Sequence, residues 1–241
     1  METNTNRFRG LYRHTIDKDF FKEINAEEKA YWLGFLMADG CVYKGASANS
    51  YRLQINLTKE DIEILEKFNK ALKSSYNITT KTIHNKRENK DYEVVTLKIN
   101  NTELCNDLMK LNVVPRKSVV AEFPNIPEKY YRDFIRGYFD GDGCVTYTQL
   151  ATRRKGKFQI VGGPNILLKF QEIFKKNDIE THYYNINHSK ADELMTASIP
   201  EIQKIFNYLY KDATVYLDRK YNKFLEFLSP YSATNNEKNS D

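Results

Sequence analysis

Two long runs of this chain are apolar on nearly every side. Residues 27–38 end in AYWLGFLMA, and residues 128–140 read EKYYRDFIRGYFD. Each is too continuous for a surface helix and predicts one buried all round. After each run the period changes to two. In YRLQINLT, Leu53, Ile55 and Leu57 alternate with Gln54, Asn56 and Thr58, as in a sheet with one face on a core and one in water. CVYK precedes it, and CVTYTQL and KFQIVG follow the second run. Helical spacing then returns in KEDIEILEKFNKAL and NILLKFQEIFKK. Strand-like ITTKTIH and YEVVTLKI follow in the first half, and THYYNIN and ELMTASI in the second. TELCNDLMKLN and PEIQKIFNYLY close the two halves as helices. The order is αββαββα, written twice.

A specific motif marks the repeat. FLMADGCV ends the first buried run and YFDGDGCV the second, so Asp39 and Asp142 stand 103 residues apart. PRKS and DRKY put Lys117 and Lys220 at the same offset. The chain therefore reads as a tandem duplication: an extension over 1–25, repeats over 26–123 and 127–228, and a polar, disordered tail over 229–241. The predicted class is α+β, with two antiparallel sheets related by a pseudo-twofold.

The spacing also predicts how the halves meet. Gly34 and Ala38 lie four apart, as do Gly137 and Gly141, so each pair shares one helix face. Small residues there let two helix backbones approach closely. Two such helices side by side would end together and bring Asp39 and Asp142 to one point. Adjacent carboxylates repel unless a cation neutralises them, and a hard divalent ion takes carboxylate, water and phosphate oxygens. The pattern points to metal-assisted phosphodiester chemistry on the axis.

Composition changes this picture only slightly. The formal charge is +5 over 241 residues, a mild lean toward a polyanionic partner. Three cysteines without C-x-x-C spacing argue against a disulfide framework or a zinc site. No run approaches the ~20 apolar residues of a membrane span, and the N-terminus lacks a secretory h-region. The expectation is an intracellular protein of the cytoplasm or nucleoid, with an organelle left open.

WLGFLMADG (32–40) and IRGYFDGDG (135–143) resemble the two signatures of a single-chain LAGLIDADG homing endonuclease. The resemblance implies a monomeric, intron-encoded nuclease that cuts both strands of a long asymmetric DNA target with Mg²⁺ or Mn²⁺. It places metal-binding acids at Asp39 and Asp142, neighbouring carbonyl ligands at Ala38 and Gly141, and catalytic lysines at Lys117 and Lys220. The sixth signature position differs between the copies, Met37 against Asp140, which predicts unequally supported half-sites. A β-ribbon saddle would read the major groove. Arg52, Gln54, Asn56, Lys86 and Arg87 would face DNA from one side, and Arg153, Arg154, Lys155, Lys157 and Gln159 from the other. Two alternatives share the scaffold: a maturase binding intron RNA, and a DNA-binding protein without catalysis. Loss of an acid or a lysine would mark the latter, and all four residues are present.

Overall fold

The computed structural model describes residues 14–45, 47, 49–114, 122–149, 154–186 and 192–236. Among the described residues, seven α-helices and eight strands follow in order. The first half runs α1 (Glu27–Ala38), β1 (Gly40–Lys44), β2 (Tyr51–Thr58), α2 (Ile62–Ala71), β3 (Ile78–Asn85), β4 (Lys90–Ile99) and α3 (Thr102–Lys110). The second runs α4 (Tyr131–Asp142), β5 (Gly143–Gln149), β6 (Arg154–Gly162), α5 (Pro164–Lys176), β7 (His182–Tyr184), β8 (Asp192–Thr196) and α6 (Ile199–Tyr210). One helix remains, α7 (Asp218–Asn236).

Each half builds an antiparallel four-stranded sheet, ordered β1-β2-β4-β3 and β5-β6-β8-β7. Registers correspond: Cys41 faces Gln54 across β1–β2, and Cys144 faces Gln159 across β5–β6. The inner faces carry Leu53, Ile55, Val95 and Leu97 in one half and Phe158, Ile160 and Leu194 in the other, all buried. Helices cover those faces. The Trp32 ring lies 4.9 Å from Phe68, and Phe139 stacks on Phe158 at 4.9 Å. Every residue of α1 from Ala30 to Met37 is buried, as is every residue of α4 from Asp133 to Asp140. That fits helices enclosed between two sheets and other helices.

The expected strand over 193–199 ends at Thr196, because Ile199 opens α6 with Pro200 in its first turn, where a proline costs no hydrogen bond. Residues 229–236, expected to lie in a polar tail, belong instead to α7, which carries the chain to Asn236. Phe224, Phe227 and Leu228 bury one side of that helix. Ser229 Oγ donates to Glu226 O at 3.2 Å, the carbonyl for which proline at 230 has no N–H. Among the described residues, no helix is long and apolar enough to cross a membrane.

Candidate active site

The site begins where α1 and α4 touch. A Cβ on Gly34 would stand 1.9 Å from Phe134 O, and one on Gly137 would stand 1.9 Å from Tyr31 O. Shifting one contact by 103 residues produces the other, so the two helices pack about a local twofold. The approach continues to their ends. A Cβ on Gly141 would lie 2.3 Å from Ala38 Cβ and 3.2 Å from Asp39 Oδ2. The Asp39 carboxylate thus rests against Gly141, and Asp142 is the next residue.

Lys220 enters this spot from the first turn of α7. It is buried, and its Nζ donates to Phe139 O and Gly141 O, each at 2.8 Å. Burial pulls the ammonium pKa below its ordinary value; the charges of Asp140, Asp39 and Asp142 oppose that, while Arg219 adds to it. Tyr138 is displaced upward by burial, then by Asp142 and Asp39. One lysine and one tyrosine therefore lie in the field of both motif aspartates. A concavity of about 800 Å³ opens beside them, walled by Gly141, Cys144, Thr146, Arg219, Lys220 and Lys223. Lys117 lies outside the described residues.

Asp140 is the residue whose role the sequence hid. Fully enclosed by protein, it accepts hydrogen bonds from Tyr31 Oη, Tyr210 Oη and Leu217 N, each at 2.7 Å. Burial raises its pKa, with Lys220 first among the opposing influences. Its difference from Met37 at the sixth signature position was the sign of it, but its partners lie 70 to 109 residues away in the chain. Met37, its counterpart, is simply packed.

The donor set decides which cation suits this spot. Among the described residues no three His, Cys, Asp or Glu side chains gather as a metal cluster. Two aspartates and main-chain carbonyls are hard oxygen donors, too few for a closed cage and suited to an ion that keeps water or phosphate oxygens. They fit Mg²⁺ or Mn²⁺ and do not fit a zinc site. Gly141 O already accepts from Lys220, so metal coordination there would share that carbonyl.

The outer sheet faces carry the other expected residues. Tyr43 Oη donates to Gln54 Oε1 at 2.7 Å, Gln54 Nε2 to Asn56 Oδ1 at 2.9 Å, and Thr96 Oγ1 to Asn56 Oδ1 at 2.8 Å. Arg52 lies over the Tyr43 ring at 5.2 Å. These contacts hold a polar row in place before any ligand arrives. Lys86 and Arg87 are exposed at the β3–β4 turn. On the second sheet Lys155 is exposed and Gln159 half-buried, while Lys157 is ion-paired with Glu193. Lys157 must exchange that partner before it can meet a phosphate. Arg153 lies outside the described residues, as does the side chain of Arg154.

Comparison with known proteins agrees with this architecture. The family model described as a LAGLIDADG-like domain matches residues 26–118, the first repeat. The chain as a whole has the fold of single-chain LAGLIDADG homing endonucleases. It is similar to I-GzeII, solved in complex with its DNA target, with a TM-score of 0.59 at 12% identity over 88% of this chain and 92% of that one. It is also similar to I-SmaMI, solved on uncleaved DNA in the presence of calcium ions, with a TM-score of 0.57 at 11% identity over 87% and 92%. Among curated sequences it is 27% identical to a DNA polymerase of Acanthamoeba polyphaga mimivirus over 55% of this chain and 8% of that protein. It is 23% identical to an uncharacterized protein of Methanocaldococcus jannaschii over 76% of this chain. The aligned region spans 65% of that relative's length.

Proposed function

We propose that this protein is a site-specific DNA endonuclease of the homing type, making double-strand breaks with Mg²⁺ or Mn²⁺. The observation that carries the reading is the convergence of Asp39, Asp142 and Lys220 at the shared ends of α1 and α4. Asp39 and Asp142 would hold the ion, with the Ala38 and Gly141 carbonyls as further oxygen donors beside water or phosphate oxygens. When bound, such an ion supplies an activated water and stabilises the leaving oxygen of a phosphodiester. Lys220 stands beside Gly141 with its ammonium fixed by two carbonyls, where it would offset charge developing on the phosphate. Lys117 has the same part in the first half. Both halves lie in one chain and differ in sequence, so a monomer would read a long asymmetric target. The two sheets form the DNA-binding saddle: Arg52, Gln54, Asn56, Lys86 and Arg87 contact DNA from the first half, and Arg153, Arg154, Lys155, Lys157 and Gln159 from the second. The DNA in the solved structures of similar fold supports double-stranded DNA as the partner.

The test begins by selecting cleaved targets from a randomised duplex library with Mg²⁺. Asp39→Asn and Asp142→Asn should each abolish double-strand cleavage of the selected target while binding to it persists. Full cutting by either variant refutes the mechanism. Affinity should fall steeply with added salt if the saddle neutralises phosphates.

A further inference from the structure

Lys220 belongs to the second repeat, yet three of the four residues before it are held by the first. Arg219 forks onto Asp61, with Nε 2.9 Å from Oδ1 and Nη2 2.8 Å from Oδ2. Asp218 receives Lys67 Nζ on both carboxylate oxygens at 2.9 Å, and the same ammonium reaches Tyr216 O at 3.3 Å. Leu217 N is fixed to Asp140 on α4. Residues 216 to 219 are thus tied one after another immediately before Lys220. The Asp61 carboxylate is buried and the Arg219 contact is bidentate, a geometry that fixes direction as well as distance.

Among the described residues, the side chains that do the gripping are not repeated in the second half. Matching the buried residues of α2 (Ile64, Leu65, Phe68, Leu72) to those of α5 (Ile166, Leu167, Phe170, Phe174) sets Gly163 in the place of Asp61 and Lys169 in the place of Lys67. Gly163 has no side chain. Lys169 is paired with Glu172 on its own helix at 2.8 Å.

We infer that Asp61 and Arg219 form a positioning clamp by which the first repeat sets Lys220 against the shared aspartates, so that breaking the clamp slows cleavage of one DNA strand and spares the other. The inference rests on the nuclease reading. Its logic is geometric: side-chain misplacement near 1 Å costs up to about a hundredfold in rate, and the first turn of α7 is the lever that carries Lys220.

The experiment uses the full chain, Mg²⁺ and a selected target labelled on each strand. Arg219→Asp and Asp61→Arg should each slow one strand, the same one, by roughly tenfold to a hundredfold, so nicked duplex accumulates. The double swap Asp61→Arg/Arg219→Asp should restore balanced cutting, and Arg219→Lys, which keeps the charge but not the fork, should fall between. Melting curves and DNA affinity are measured for every variant. Equal slowing of both strands, or no slowing, overturns the inference and leaves the nuclease reading intact. Loss of DNA affinity in Arg219→Asp also overturns it, because Arg219 would then be a phosphate contact. A wild-type chain that cuts no DNA overturns the nuclease reading, and the clamp's catalytic role with it.

Discussion

The two motif helices are alike in how they touch and unlike in what they enclose. Gly34 and Gly137 make twofold-related contacts, each against a backbone carbonyl of the other helix. Yet at matching positions α1 carries Leu33 and Met37 where α4 carries Arg136 and Asp140, all four buried. Arg136 donates to Val215 O at 3.0 Å, to Leu209 O and Asp133 at 2.8 Å, and to Glu27 at 2.9 Å. Asp140 takes Tyr210 and Leu217 N. Both therefore stitch α4 to the segment between α6 and α7, the segment that delivers Lys220. Packing geometry has stayed symmetric while the polar interior has become one-sided. A buried charge needs all its partners at once; an apolar position needs only volume.

The largest effect should come from breaking what the halves share. Gly34→Val and Gly137→Val each place atoms well inside contact distance of a backbone carbonyl. Backbone cannot move aside as a flexible side chain can, so the helices must separate. The cost should reach ~3 kcal/mol or more, the upper end for overpacked cores, and nearly the same for both. Denaturant melts of the two variants measure it; a glycine replaced without loss would mean the helices do not meet there.

Next comes the feature that differs. Arg136→Leu makes α4 resemble α1, but strands Asp133 and two main-chain carbonyls in the interior. Breaking such a network by removing one member costs about 3–5 kcal/mol. In α1 the corresponding position is Leu33, and Leu33→Met should cost less than about 1.5 kcal/mol because volume is nearly kept. Urea unfolding of the pair gives the contrast directly. Comparable losses at both positions would show that the Arg136 network adds nothing beyond packing.

This contrast also explains what could be read from the chain. Apolar runs placed α1 and α4, and helical and alternating periods placed the other helices to α6 and all eight strands, because burial leaves a local signature. The aspartates at 39 and 142 were legible since the repeat writes them twice. α7 was not, because its first turn, DRKY, is polar and Phe224, Phe227 and Leu228 emerge only later. The partners of Asp140 and Asp61 were invisible for another reason. Asp140 meets Tyr31 across 109 residues and Asp61 meets Arg219 across 158, and no window of sequence contains both ends of such a contact.

The smallest effect is chemical and compares the three cysteines. Cys41 and Cys144 are exposed, each opposite a glutamine on an outer sheet face, whereas Cys105 is buried beneath the first sheet. Burial pushes the Cys105 thiol up to about 12 from 9.0. It should therefore resist alkylation at neutral pH until the chain unfolds. The raised value also sets a sign. Its contribution to stability is complete below about pH 9 and is lost as pH climbs toward 12, because the unfolded chain releases that proton first. Cys41 and Cys144 should label readily, and bound DNA should shield both if the two outer faces form one saddle. Mass spectrometry of singly labelled chains with and without selected duplex reads all three sites together. Protection of Cys41 alone would mean that only the first half lies along the DNA, and the symmetric saddle would have to be abandoned even though the helices beneath it are paired.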